Sequence, residues 1–315
     1  MPDPRTASRP AVARSSSVAL AAALCACASS PSPSPAKGSA VPAKAPVDTA
    51  AWTRTYPSAQ QAAAPQAQEV RLKDLRRMTF GGQNAEAYWS FGGKELILQS
   101  RALGDTCDRI YRFPVPQAAP GLAGLLPALP APGAPETMQS ITDGSGATTC
   151  AYFLPGDQEV IWASTHLGGK ACPPKPDRSK GYVWALYDTY DVFKSKADGT
   201  GIQRLTDSKG YDAEATVCGK DGSIVFTSVR DGDLELYRMD RDGKNVKRLT
   251  HAVGYDGGAF FNDDCTRLVW RASRPKAGAE LNEYQSLLKQ NLVKPGQLEI
   301  WLGNADGRFT SSEAV

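Results

Sequence analysis

Histidine is scarce in this sequence of 315 residues: only His166 and His251 are present, so few side chains can act as acids or bases near neutral pH. The apolar stretch at residues 18–26 is far too short to span a bilayer. The 36 basic and 33 acidic residues nearly balance, with a net charge of +3 and no long basic run. Nucleic acid and anionic membrane surfaces are therefore poor candidates for the main partner.

Catalytic motifs are also missing. We find no Gly-x-Ser-x-Gly nucleophile elbow, no His-Glu-x-x-His and no phosphate-binding loop, since residues 168–170 lack the upstream glycine spacing. Asp212, Glu214 and Asp256 carry oxygen ligands of the kind that Ca²⁺ prefers, but no calcium-loop spacing accompanies them. The sequence predicts a protein that is not an enzyme, with no cofactor and no metal site.

A repeat is the strongest feature that the sequence does contain. Arg204-Leu-Thr followed by Gly210-Tyr-Asp returns as Arg248-Leu-Thr followed by Gly254-Tyr-Asp, a shift of 248 − 204 = 44 residues. The apolar run at 224–226 returns at 268–270, and looser copies begin at 77 and 140. A period of about 40–45 residues with several short strands is typical of a β-propeller blade.

The predicted fold is all-β: a propeller of four-stranded antiparallel blades over residues 69–315. We count about four and a half units, the last beginning near residue 309. In the two clearest units the inner strands are predicted at 213–217 and 257–261, and the second strands at 224–228 and 268–272. Asp-Gly turns at 198–199, 242–243 and 306–307 precede the outer strands, because glycine accepts the positive φ of a tight turn.

Two insertions interrupt the repeats. Residues 114–136 are rich in alanine and proline, which predicts a flexible insertion. Residues 277–293 are predicted to be helical, because Leu281, Tyr284, Leu288 and Leu292 recur at helical spacing. We expect this helix to pack its apolar stripe on the blade, with a partner-binding helix as the alternative.

The pattern of the first residues is typical of an export signal. Basic residues precede the apolar run, and Leu24-Cys25-Ala26-Cys27 resembles a bacterial lipobox in which Cys27 is lipidated. We therefore assign residues 1–27 to a signal peptide, with an ordinary cleaved signal as the alternative to lipidation. Residues 28–68 are rich in alanine, proline and serine and have few large apolar side chains, so they are predicted to form a disordered tether.

The repeats resemble those of TolB-type, WD-like propellers, which also form the non-catalytic propeller of dipeptidyl-peptidase-like serine hydrolases. The residues that carry the resemblance are Arg-Leu-Thr at 204 and 248, the segment Phe226 to Gly232, and Asn304-Ala-Asp-Gly307. The resemblance implies six blades, so we expect an array truncated at its C-terminus or closed by oligomerisation. It also implies a location in the periplasm or at the outer membrane and a partner among envelope proteins.

Aligned repeats predict a binding rim, because the start of the first strand and the end of the second lie together in a hairpin. Three columns of residues share this rim, and we place the candidate site there: Asn84, Thr148, Asp212 and Asp256; Glu86, Cys150, Glu214 and Gly258; Arg101, His166, Arg230 and Arg274. The connections 167–190 and 275–297 enlarge the same rim, and binding residues favour loops on a rigid scaffold. The alternative is that Asp212 and Asp256 only accept hydrogen bonds within the fold and pair with the arginines.

Five cysteines lie beyond the signal, so at least one thiol is unpaired. Cys107, Cys150 and Cys172 map to the predicted rim, and a disulfide is expected among them. Cys218 and Cys265 are predicted to be too far apart to bridge. A metal site built from three cysteines and His166 lacks the required close spacing.

The leading hypothesis is an exported, non-enzymatic propeller that binds a protein or peptide in the cell envelope. Its membrane contact would be the lipid on Cys27, and a soluble periplasmic or secreted protein is the alternative. A second hypothesis is the gating propeller of a peptidase whose catalytic domain is absent from this chain. A propeller that binds carbohydrate or acts as a lyase is a third possibility.

Overall fold

Short antiparallel strands form four successive sheets, each built from one sequence repeat. The computed structural model describes residues 53–56, 78–79, 82–101, 105–115, 136–179, 181–307 and 313–314. Our predictions for the signal peptide, Cys27 and most of the 114–136 insertion lie outside these residues.

The strands of each blade run in order from the propeller axis outward, and all their pairings are antiparallel. The first blade contains β2 (Gln83–Trp89), β3 (Glu95–Arg101), β4 (Arg109–Pro114) and β5 (Glu136–Ser140). The second contains β6 (Thr148–Phe153), β7 (Glu159–Ser164), β9 (Asp191–Lys196) and β10 (Gln203–Arg204). The third contains β11 (Asp212–Val217), β12 (Ile224–Ser228), β13 (Glu235–Met239) and β14 (Lys247–Arg248). The fourth contains β15 (Asp256–Phe261), β16 (Arg267–Ala272), β18 (Glu299–Asn304) and β19 (Glu313–Ala314).

This arrangement confirms the all-β propeller and its four-stranded blades. Residues 313–314, which follow the predicted start of a fifth unit, form β19, the outer strand of the fourth blade. Among the described residues, no helix has the length and apolar character needed to cross a bilayer.

Two predicted segments differ from the structure. Within the predicted tether, β1 (Thr53–Tyr56) pairs with the outer strand β5, so this part of residues 28–68 is ordered as a fifth strand. The helix α1 (Ala279–Leu288) is shorter than predicted, because Leu292 leaves the helical stripe. It forms β17 (Leu292–Val293), which pairs with β8 (Trp184–Ala185) in the other long connection. Backbone pairing between the two insertions thus overrides the helical spacing of the leucines.

The repeated Arg-Leu-Thr motif joins the outer strand to the third strand of its blade through side-chain hydrogen bonds. Arg204 donates through Nε to the Thr206 carbonyl at 2.7 Å and through Nη2 to Asp191 at 2.7 Å. Leu205 is buried between blades, and the Thr206 hydroxyl accepts the Val192 amide at 2.9 Å. The copy at 248–250 makes the same contacts, with Glu235 and the Leu236 amide.

Apolar side chains on both faces of the blades form the core. Every residue of β12 is buried, because one face packs on the second blade and the other on the fourth. Phe226 and Ile224 belong to the first of these layers, and Val225 packs with Trp270 in the second. Burial on two faces explains why the second strands have continuous apolar sequences instead of alternating ones.

A disulfide between Cys218 and Cys265 joins the inner hairpin turns of the third and fourth blades. The Cα atoms are 5.7 Å apart and the sulfur atoms 2.05 Å apart. Our prediction that these cysteines are too distant was wrong, because inner strands converge toward the axis and bring their turns together. A second disulfide joins Cys107 to Cys172, and Cys150 is free.

The Asp-Gly turns before the outer strands of the second, third and fourth blades contact the Arg-Leu-Thr segment of the preceding blade or its counterpart at 140–142. Gly243 has φ = 83°, and a Cβ atom there would lie 2.7 Å from the carbonyl oxygen of Leu205. Gly199 takes the same position against Ile141, where a Cβ would lie 2.5 Å from the carbonyl oxygen. Glycine is therefore required both for the turn and for close approach between blades.

We predict that Gly243→Ala destabilises the protein more than Gly232→Ala does. Both glycines have positive φ in the third blade, but space is open around Gly232. Left-handed backbone strain should lower the free energy of unfolding by about 1–2 kcal/mol in either variant. The contact with Leu205 should add about 1 kcal/mol or more in Gly243→Ala alone. Urea denaturation measures both variants, and equal losses would contradict the contact.

Candidate functional site

A bulge interrupts the inner strand of every blade at the same position. The register shifts after Ala85, Thr149, Ala213 and Gly257. The residue that follows has positive φ in each case: Glu86 (52°), Cys150 (50°), Glu214 (54°) and Gly258 (59°). A bulge changes the direction in which a strand presents a side chain. The sequence placed these four residues in one column, and the bulge is the local structure that they share.

Two cavities meet at these bulges. A cleft of about 600 Å³ lies on the side of the long insertions, and a second cavity of about 350 Å³ extends between the inner strands and β16. Four residues line both cavities, and we call them the axial ring: Glu86, Cys150, Glu214 and Arg271. Three come from bulges and the fourth from β16, so each blade contributes one side chain and the ring contains two glutamates, a cysteine and an arginine.

The carboxylates of the axial ring accept hydrogen bonds from tyrosines. Tyr255 donates to the two oxygens of Glu214 at 2.8 and 3.1 Å, and Thr227 donates to the same carboxylate at 2.9 Å. Tyr88 donates to Glu86. Burial raises the pKa of both tyrosines well above its usual value, so the hydroxyls keep their protons.

Cys150 is a thiol and not a thiolate in this ring. Burial raises its pKa, and the nearby charges of Glu86 and Glu214 raise it further. The Thr149 hydroxyl lies 3.2 Å from its sulfur. Since the thiolate is the nucleophilic form, this position favours a passive lining residue over a reactive one.

The first long connection lines the cleft. Its strand β8 pairs with β17 of the second connection, and the disulfide between Cys107 and Cys172 fixes it to the first blade. Six aromatic side chains form much of the lining: Tyr182, Trp184, Tyr187, Tyr190, Tyr211 and Tyr255. Trp184 donates to the Tyr182 hydroxyl at 3.1 Å, and Tyr187 donates to the Pro174 carbonyl at 2.7 Å.

The carboxylates at the start of the inner strands are buried and paired with arginines. Asp212 is fully buried and accepts from Arg230 at 3.1 Å, and Asp256 is fully buried and accepts from Arg274 at 2.7 Å. Trp270 donates to Asp256 at 2.6 Å. Because neither carboxylate reaches the surface, these contacts match the alternative in which both serve the fold.

The remaining predicted site residues lie at equivalent positions of the first two blades. Asn84 accepts a hydrogen bond from Ser100 at 2.8 Å. Arg101 donates to Gln83 and lies 3.9 Å from Asp108, beside the cleft. His166 lies 2.9 Å from the Ser164 hydroxyl and packs on Phe193 and Trp162. Of the three predicted columns, the one at the bulges therefore contributes most to the cavities, and Arg101 joins it.

Sequence reasoning missed Arg271. It pairs across the hairpin with Gly257, where the other blades have Gln99, Ala163 and Thr227. A Cβ at Gly258 would lie 2.4 Å from its Nη2, so the guanidinium occupies the space that glycine leaves. The signal was present in the repeat alignment: the one blade with glycine at the bulge also has arginine at this neighbouring position.

No model of a protein family matches the chain, and no curated protein sequence shows significant similarity to it. Solved structures do show similarity. A putative TolB from Agrobacterium tumefaciens is 15% identical, with a TM-score of 0.51, over 78% of this chain and 70% of its own. TolB from Acinetobacter baumannii is 16% identical, with a TM-score of 0.48, over 75% of this chain and 45% of its own. The fold is that of the TolB-type β-propeller.

We predict that Asp256 makes stability fall as pH rises. Burial raises the pKa of Asp256 to about 6, although Arg274 opposes the shift. A carboxyl whose pKa is raised by folding stabilises most below its unfolded pKa near 4, and this contribution is lost as pH rises through 6. Asp256→Asn cannot ionise. The difference in unfolding free energy, wild type minus variant, should therefore decrease by on the order of 3 kcal/mol between about pH 4 and pH 7.

Urea denaturation across this pH range measures the difference. Asp242→Asn is the control, since that carboxylate is exposed in a turn and pairs with Lys244. If the unfolding free energies of wild type and Asp256→Asn change with pH in parallel, burial does not raise the pKa of Asp256.

Proposed function

We propose that this propeller is a binding protein whose partner presents a peptide segment to the cleft on the insertion-rich rim. The observation that supports it most is the cleft itself, about 600 Å³ in volume and lined by six aromatic side chains. Tyrosine and tryptophan are enriched at protein interfaces, because they bury large areas with little loss of side-chain freedom. The paired insertions and the disulfide at Cys172 hold this lining in place, which lowers the entropy lost on binding.

The proposal includes export to the cell envelope. The basic and apolar pattern of residues 1–27 supports it, and two disulfides fit an oxidising compartment. The similarity in fold to TolB proteins favours an envelope protein as the partner. The proposal does not include catalysis, for which the sequence offers no motif.

The first test concerns peptide binding. We expect short peptides, selected from a random phage-displayed library on the purified protein, to bind the cleft. Trp184 lines the cleft, so Trp184→Ala should raise the Kd of a selected peptide by about tenfold or more. Trp89 is 55% exposed on β2 and lies outside the cleft, so Trp89→Ala should leave the Kd unchanged. Isothermal titration calorimetry measures both, and equal effects of the two changes would contradict binding at the cleft.

The second test concerns the anchor. If Cys27 is lipidated, Cys27→Ser should move the protein from the membrane fraction to the soluble fraction of cells that express it. Cys25→Ser is the matched control, because it changes the neighbouring motif position and keeps the residue that would be modified. Immunoblots of the two fractions give the result. An unchanged distribution for Cys27→Ser would favour the ordinary cleaved signal.

A further inference from the structure

We propose that the cleft recognises an acidic segment and that Arg271, on the floor of the cleft, binds a carboxylate of that segment. The inference rests on the proposed function and adds the chemistry of the partner.

The charges of the cleft favour an anionic ligand. Four cationic and three anionic side chains line it, which gives a formal charge of 4 − 3 = +1. The anionic side chains already have partners within the protein. Glu86 and Glu214 accept from tyrosine hydroxyls, and Asp108 accepts from the Gln99 amide at 3.0 Å. A ligand therefore meets carboxylates that are already hydrogen-bonded and cations that are not fully engaged.

Among the described residues, Lys175 and Arg178 make no ion pair, and the other two cations, Arg101 and Arg271, make only long ones. The nearest carboxylate oxygen to Arg271 belongs to Glu214, at 3.6 Å from Nη2. By contrast, Arg230 and Arg274 contact their buried carboxylates at 3.1 and 2.7 Å. Arg271 thus differs from the arginines that serve the fold, because most of its donor capacity is left for a ligand.

The surroundings of Arg271 hold the guanidinium where a ligand can reach it. The Cζ atom of Arg271 lies 5.6 Å from the centre of the Trp184 ring, and Nη2 of Arg271 donates to the Tyr255 hydroxyl at 3.3 Å. Stacking on an aromatic ring leaves the edge of a guanidinium free for a bidentate contact with a carboxylate. The side chain is 37% exposed, and Gly258 provides the space that it occupies.

Arg178 and Lys175 extend this positive lining from the floor to the wall. Both belong to the first insertion, and Arg178 lies over the Tyr182 ring at 4.7 Å. The cations are therefore interleaved with aromatic rings, a pattern that suits a segment in which acidic and apolar residues alternate.

The test uses the peptides selected on the wild-type protein. We expect these peptides to be enriched in aspartate and glutamate relative to the starting library. For one enriched peptide, synthesised with blocked termini, the version with glutamine in place of glutamate should bind about tenfold more weakly or worse. Arg271→Gln should weaken binding of the acidic peptide by a similar factor and leave binding of the glutamine version unchanged. Arg271→Lys should give an intermediate Kd, since lysine keeps the positive charge but cannot make the bidentate contact of a guanidinium.

Arg267→Gln is the matched control, because Arg267 is exposed on the same strand and outside both cavities. Thermal unfolding of each variant confirms that it is folded before binding is measured. The inference would be overturned if the selected peptides showed no preference for acidic residues, or if that preference survived Arg271→Gln in a folded protein. The proposed function would still stand in both cases. Failure to select any peptide on the wild-type protein would overturn the proposed function and the inference with it.

Discussion

One backbone hydrogen bond recurs at the junctions between blades, and much of the polar interior depends on it. The first amide of an inner strand donates to the carbonyl beside the third strand of the preceding blade, from Asp212 to Tyr190 at 3.0 Å and from Asp256 to Leu234 at 2.9 Å. At two of these junctions the contact brings two carboxylates together: Asp191 with Asp212, and Glu235 with Asp256. Buried carboxylates are unfavourable unless they are paired. Each therefore has its own arginine, and the Arg-Leu-Thr motif supplies half of them.

The repeat alignment predicted the elements that obey this constraint. The second strand at 224–228 agrees with β12 residue for residue, and the inner strand at 257–261 differs from β15 by one residue. These predictions succeeded because the same physical requirements, burial on two faces and a glycine turn, act in every blade. The sequence also placed Asp212 and Arg230 in adjacent columns of one rim, which is where they pair.

The features that the sequence did not predict depend on contacts between distant segments. Leu292 fits a helical stripe, and only the pairing of β17 with β8 makes it a strand. Cys218 and Cys265 are 47 residues apart, and only the convergence of the inner strands brings their Cα atoms within 5.7 Å. Arg271 stands out only when the blades are compared with one another, since its role follows from the space above Gly258 in a neighbouring strand. Local pattern contains no information on such distances.

A physical distinction follows between residues that serve the fold and residues that are free to bind. Contacts that hold neighbouring blades together can recur from blade to blade, as the pair of a buried carboxylate with an arginine does in the third and fourth blades. A binding surface needs the opposite, because a ligand without fourfold repetition requires different side chains around the axis. Several departures from the repeat lie on one side of the propeller: the first insertion, which pairs with β17 of the second, its disulfide to Cys107, and the combination of glycine at 258 with arginine at 271. Their convergence on a single cleft is the reason to look for the partner there and not at the buried acidic column.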